Sequence, residues 1–275
     1  MRATTSLTAA GLLALALLAP ATGPSAAAET CLGRTATIVG TGPTITGTDG
    51  RDVIVTGTAH TVDALDGDDL VCVSGPDDAP RVLTIDMGAG DDEVIVEPAD
   101  VVATGSRLDA GPGRDLLVAA QLDGRQAINL GRERWLLDSR TATVTGLEDV
   151  TLVAPSVRIL GDDGPNTLGS TACFAKLDGN GGDDYLANRP RSYVEAHTFD
   201  CVASSRLHGD RGDDQLVDSH GAGALHGGPG RDSLLGRGGD DHLDGGRGRD
   251  RADGGEGRDR CDAERERRCE LRQGD

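Results

Sequence analysis

A nine-residue period constrains this chain more than any other feature. Residues 209–262 divide without insertion into GDRGDDQLV, DSHGAGALH, GGPGRDSLL, GRGGDDHLD, GGRGRDRAD and GGEGRDRCD. The eighth position of every unit is apolar: Leu216, Leu225, Leu234, Leu243, Ala252 and Cys261. The sixth is Asp214, Asp232, Asp241, Asp250 or Asp259, with Gly223 in the second unit alone. Glycines at the first, second and fourth positions permit a tight, partly left-handed turn. The residues that remain suffice for one short extended segment. Two nonapeptides therefore make one coil of a narrow parallel roll, with the eighth residue facing inward. A solvated acidic linker has no reason to keep an apolar residue in that phase.

Coiling brings the aspartates of units n and n+2 one above the other. At a strand spacing of about 4.8 Å their carboxylates repel unless a cation lies between them. Calcium takes about six to eight oxygen ligands and suits a turn that offers backbone carbonyls beside each carboxylate, whereas magnesium demands a stricter octahedron. GGPGRDSLL, GGRGRDRAD and GGEGRDRCD resemble the G-G-x-G-x-D-x-U-x calcium-binding repeat of the RTX, or haemolysin-type, family. The resemblance implies an all-β fold, a right-handed parallel β-roll or β-helix solenoid, with several Ca²⁺ ions held in successive turns on each edge. It also implies the ligands: the carboxylates of Asp214, Asp232, Asp241, Asp250 and Asp259. Complete pairs are Asp214 with Asp232, Asp232 with Asp250, and Asp241 with Asp259; the pair of Gly223 with Asp241 is defective, so a weak or absent ion is expected there.

A sparser form of the signature runs upstream. Gly-x-Asp-x-apolar recurs at Asp52, Asp69, Asp92, Asp115 and Asp184, with an asparagine version at Asn166. The first four lie 17, 23 and 23 residues apart and the last two 18, close to one coil with small insertions. Each upstream coil is expected to keep one metal-type edge, although Asp and Asn also stabilise turns by bonding their own backbone. Short β-branched runs such as VIV at 53–55 and LVCV at 70–73 supply the strands. The expected organisation is degenerate coils over 29–120, an irregular middle over 121–208 with two or three further coils, the in-phase repeats over 209–262, and a polar tail over 263–275. Within the middle, GLEDVTLV (146–153) resembles the connector that often precedes such repeats. All five aromatic residues fall there, Trp135, Phe174, Tyr185, Tyr193 and Phe199, as does the sole lysine, Lys176. They are expected to fill a wider section, and the alternative is a recognition surface.

At the amino end, Arg2 and the apolar run at 11–19 read as a signal peptide cleaved near Ala28, too short to span a bilayer. The expected product is secreted, with no membrane insertion. Its six cysteines allow fifteen sets of three disulfides, of which proximity in sequence favours Cys31 with Cys72, Cys173 with Cys201 and Cys261 with Cys269. A net charge of -19, from 46 acidic and 27 basic residues, argues against nucleic acid and anionic membrane as partners. The chain has no H-E-x-x-H, Cys-x-x-Cys, G-x-S-x-G, Walker or EF-hand motif. It is therefore expected not to be an enzyme. Three functions follow in order: a calcium-binding structural or surface-associated protein that folds after export; a module binding a cell-surface glycan or wall polymer; and a β-helix polysaccharide-active enzyme.

Overall fold

The computed structural model describes residues 29–74, 80–188, 199 and 201–272. The leader read at residues 1–28, and Tyr193, lie outside them. The described chain is a parallel β-roll. Its strands alternate between two sheets, each coil giving one short strand to either. The first sheet runs through twelve strands from Ile38–Val39 to Arg265–Arg267, and the second through fourteen from Thr44–Thr46 to Leu271–Arg272. Among the described residues there is no α-helix, and no helix long and apolar enough to cross a membrane.

Period-two alternation explains the core. Most strands turn one or two aliphatic side chains inward and the rest outward. Ile54, Val71, Val94, Leu117, Val150, Leu168, Leu186, Leu216, Leu234 and Ala252 follow one another down the first sheet in strict register. In the second sheet Ile128, Ile159, Leu177, Leu207, Leu225, Leu243 and Cys261 do the same. All are buried, and together they form one continuous column. The repeat register confirms a coil of two nonapeptides, since Leu216 pairs with Leu234 and Leu225 with Leu243. A column only two side chains wide gains about 1.5–3 kcal/mol from each Leu, Ile or Val it buries. Its stability therefore depends on the number of rungs.

The middle breaks the rhythm in one sheet only. In the first sheet Leu116–Ala120 passes directly to Asp149–Val153. In the second, Arg125–Asn129, Arg134–Leu137 and Arg140–Thr145 lie side by side, with the central strand antiparallel to both neighbours. The second sheet is thus longer by two strands, and the extra space between the sheets needs a filler. Trp135 supplies it, 2% exposed, its indole N–H donating to Gln126 Oε1 at 3.2 Å. Gln126 in turn donates to the carbonyls of Ala119 and Val153 in the first sheet. Trp135 is a core residue and presents no surface for recognition, as expected of an aromatic in a widened section.

Disulfides hold the ends of the stack and one loop. Cys31 pairs with Cys72, Cys173 with Cys201 and Cys261 with Cys269, the connectivity that proximity favours. The first ties the Thr30–Cys31 and Arg34–Thr35 hairpin to the outer face of the first sheet, where Val53, Val55, Leu70, Ile95 and Val118 are buried. At the other end, Arg265–Arg267 and Leu271–Arg272 pair with Arg251–Glu256 and Arg260–Asp262, so residues 263–272 of the stretch read as a tail form the last coil. Cys261–Cys269 closes that coil, where the core has shrunk to Ala252 and Cys261.

Candidate metal centre

Two turns separate the strands of each coil. One leads into the first sheet and the other into the second; they are called here the first and second edges. Asp52, Asp69, Asp92, Asp115, Asn166, Asp184, Asp214, Asp232 and Asp250 each stand immediately before a strand of the first sheet, or one residue from it. All nine therefore line the first edge. Asp241 and Asp259 occupy the matching place on the second.

The carboxylates form a ladder with the main chain. The N–H of each aspartate donates to Oδ1 of the one on the next rung. On the first edge the links are Asp52 to Asp69 at 2.7 Å, Asp69 to Asp92 and Asp92 to Asp115 at 2.8 Å, then Asp184 to Asp214, Asp214 to Asp232 and Asp232 to Asp250 at 2.9 Å. Asn166 joins by donating its N–H to Asp184 at 2.8 Å. On the second edge Asp241 donates to Asp259 at 3.0 Å. The three pairs expected in the repeats are thus neighbours, and Gly223 also donates its N–H to Asp241 at 2.7 Å.

Three glutamates each end a run of these links, and sequence reading missed them. Glu148 accepts from Asp115, Glu264 from Asp250 and Glu270 from Asp259. Glu148 was open to detection, because Gly146-x-Glu148-x-Val150 is the upstream signature with a longer acid. Neither Glu264 nor Glu270 follows a glycine at that spacing, so only the register of the last coil reveals them.

The second oxygen of each rung gives the edges their chemistry. Oδ2 of Asp69, Asp92, Asp115, Asp184, Asp214, Asp232 and Asp250 on the first edge, and of Asp241 and Asp259 on the second, is buried without any hydrogen-bond partner among the described residues. An unsatisfied buried polar atom costs about 1–3 kcal/mol, and more when it is charged. Nine in two columns point to something that completes them. Asp52 differs: Thr37 Oγ1 donates to its Oδ1 at 2.8 Å, and the N–H and hydroxyl of Thr48 to its Oδ2 at 2.8 and 2.9 Å. Asp52 ends the column as a satisfied cap.

The first glycine of each repeat is explained by the same oxygens. Gly209, Gly227, Gly236, Gly245 and Gly254 do not have positive φ, so a left-handed turn is not what excludes a side chain. A Cβ at any of them would run into the Oδ2 of the aspartate five residues on. Positive φ occurs instead at the second position, at Gly228, Gly246 and Gly255 and also at Asp210 and Arg237, and at the fourth, at Gly212, Gly239, Gly248 and Gly257. The turn thus keeps a small space beside each unpaired oxygen.

Burial pushes these carboxyls upward. Asp92 and Asp214 are raised to about 6, and Asp115, Asp184, Asp232 and Asp241 to about 7, first by desolvation and then by neighbouring acids, against the opposing main-chain hydrogen bonds. The folded chain therefore binds more protons than the unfolded one, and without metal its stability falls as pH rises. That contribution is full below the unfolded value of about 4 and is lost once the pH has passed about 7. In chelator, more β structure is expected at pH 5 than at pH 8; in saturating calcium the melting temperature is instead higher at pH 8, because protons compete with the cation. Circular dichroism in chelator and thermal scans in calcium, each at both pH values, check this, and a chelated protein with more β structure at pH 8 would contradict it.

The donor set fits a hard cation. Among the described residues no three His, Cys, Asp or Glu side chains converge on one point, so a zinc-like cluster of side chains is not the arrangement seen. Each turn instead offers one carboxylate with an unused, buried oxygen, in a loop of closely stacked main chain. Oxygen ligands drawn from carboxylate and carbonyl suit calcium.

Comparison with known proteins agrees with this chemistry. Residues 225–262 match the family model of the RTX calcium-binding nonapeptide repeat, in four copies. A search of curated proteins gave no match. The matched span holds Asp232, Asp241, Asp250 and Asp259; a second run of the same links lies far upstream of it on the first edge.

Proposed function

We propose that this is an exported calcium-binding protein in which ions held along both edges drive folding of the β-roll after export, in a structural or surface-associated role without catalysis. The single observation that carries the reading is the pair of columns of buried, unpaired Oδ2 atoms. The ligands on the first edge are Asp69, Asp92, Asp115, Asp184, Asp214, Asp232 and Asp250, with Asp241 and Asp259 on the second. Bound calcium supplies positive charge that offsets the repulsion of stacked carboxylates. The chain supplies the rest: main-chain N–H groups fix Oδ1, glycines clear the space, and the aliphatic column sets the rung spacing. Extracellular sites of this kind bind at about 10⁻⁴ to 10⁻³ M, which leaves the chain open in a calcium-poor cytosol and closed outside. The three disulfides fit an oxidising compartment.

Circular dichroism of the chain from Glu29, titrated with calcium and reversed with chelator, tests this. A calcium-dependent, reversible gain of β structure with a midpoint in that range is expected. Full structure in chelator with no response to calcium would overturn it.

A second reading, a surface for a cell-wall or other acidic glycan, has one observation in its favour. On the outer face of the second sheet Arg158, Lys176 and Arg206 pair on successive rungs beside Phe174, which is 64% exposed. Retention on an immobilised acidic polysaccharide, lost in Phe174→Ala and in Lys176→Ala, is the result expected of such a surface; no retention of the calcium-loaded protein would dismiss it.

A further inference from the structure

The second nonapeptide, DSHGAGALH, departs from its neighbours at three places together: Asp218 for glycine at the first position, Ser219 at the second and Gly223 for aspartate at the sixth. The structure shows how they combine. Asp218 is 0% exposed, and its side chain turns into the space that the sixth-position aspartate fills elsewhere. A Cβ on Gly223 would run into Asp218 Oδ2, just as a Cβ on Gly236 would run into Asp241 Oδ2. First and sixth positions have exchanged roles. In the other units the sixth residue reaches over the first; here the first reaches over the sixth.

Register places this carboxylate in the column. Val217 pairs with Leu235 and Ala224 with His242, so residues 218 and 223 lie one rung from 236 and 241. The unpaired oxygens of Asp218 and Asp241 thus both lie between the first and sixth positions of their turns, on successive rungs stacked about 4.8 Å apart. Oδ1 of Asp218 is anchored by the Ser205 hydroxyl and the Ser219 N–H, both at 2.6 Å. Oδ2 is buried with no hydrogen-bond partner among the described residues. Ser219 keeps out of the left-handed region that every other second-position residue of the repeats adopts, which lets its N–H turn to that carboxylate.

We infer that the second edge carries a further divalent-cation site, in which Asp218 supplies the carboxylate that Gly223 lacks and Asp241 on the next rung supplies the other. The inference rests on the calcium reading above and extends it to a turn where the repeat pattern alone leaves the pair incomplete. The ion count on the second edge is then one higher than the sixth-position aspartates indicate.

Calcium stoichiometry of the full chain, by isothermal titration and by terbium luminescence, tests it. Asp218→Asn keeps the Oδ1 acceptor for Ser205 and Ser219 and is expected to bind one ion fewer than wild type, with the circular dichroism of the calcium form unchanged. The triple variant Asp218→Gly, Ser219→Gly, Gly223→Asp rebuilds the pattern of the other units and is expected to regain that ion. A wild-type count in Asp218→Asn, or a folded triple variant that stays one ion short, overturns the inference. Should Asp218→Asn not fold, the triple variant is compared with the double variant Asp218→Gly, Ser219→Gly. Counts differing by one then support the site, and equal counts overturn it. A wild-type protein that binds no calcium would instead remove the reading on which the inference rests.

Discussion

Asp232→Asn is expected to stabilise the chain in chelator and to destabilise it in millimolar calcium. Asp232 sits between two rungs, its Oδ1 accepting from Asp214 and its own N–H donating to Asp250, both at 2.9 Å. Asparagine keeps the volume and the Oδ1 acceptor but loses the charge on Oδ2. At pH 8 without metal the wild-type carboxylate is buried, half-bonded and pressed by Asp214 and Asp250, with burial the largest cause. Removing it relieves about 1–3 kcal/mol. With calcium present the same change deletes an anion that serves the pairs on either side, and leaving a buried charge without its partner costs about 3–5 kcal/mol. The β content by circular dichroism in chelator and the melting temperature in calcium decide the matter. A change of the same sign in both would mean that Asp232 acts only as a turn former.

The second large effect distinguishes two glycines at one position of the same signature. Gly113→Ala is expected to destabilise by about 3 kcal/mol or more, lowering the melting temperature by roughly 6–12 °C. Gly50→Ala should stay within about 0.5 kcal/mol. Neither glycine has a positive φ, so conformational freedom does not separate them. A Cβ on Gly113 would overlap the carbonyl oxygen of Gly90 on the preceding rung, whereas one on Gly50 meets nothing within 4 Å. Gly50 opens the first edge, and no acidic rung lies before it. Thermal melts of the two variants in calcium test this; equal stability would show that the rungs are not stacked as described.

Much of the metal centre was legible before folding, because its determinants are local and periodic. An aspartate followed two residues later by an aliphatic side chain needs no distant partner to be recognised, and Asp69, Asp92, Asp115, Asp184, Asp214, Asp232 and Asp250 all lie on the first edge. What escaped depended on contacts that the turn signature does not include. Asp52 carries the same signature yet is fully bonded by Thr37 and Thr48, since the column ends there. Glu264 and Glu270 have no turn signature and join only because the final coil stacks on Asp250 and Asp259.

By itself the sequence determined the coil length, the identity of the inward residues and the kind of ion the turns suit. Those properties follow from a nine-residue phase and from the chemistry of Gly, Asp and Leu within one turn. Tertiary structure alone decided where each column starts and stops, that Trp135 fills a sheet lengthened by an antiparallel hairpin, and that Asp218 takes the place left by Gly223. The physical reason is that in a stack every rung is completed by the next, and the occupant of a given space is settled only once register brings distant residues within about 5 Å of one another.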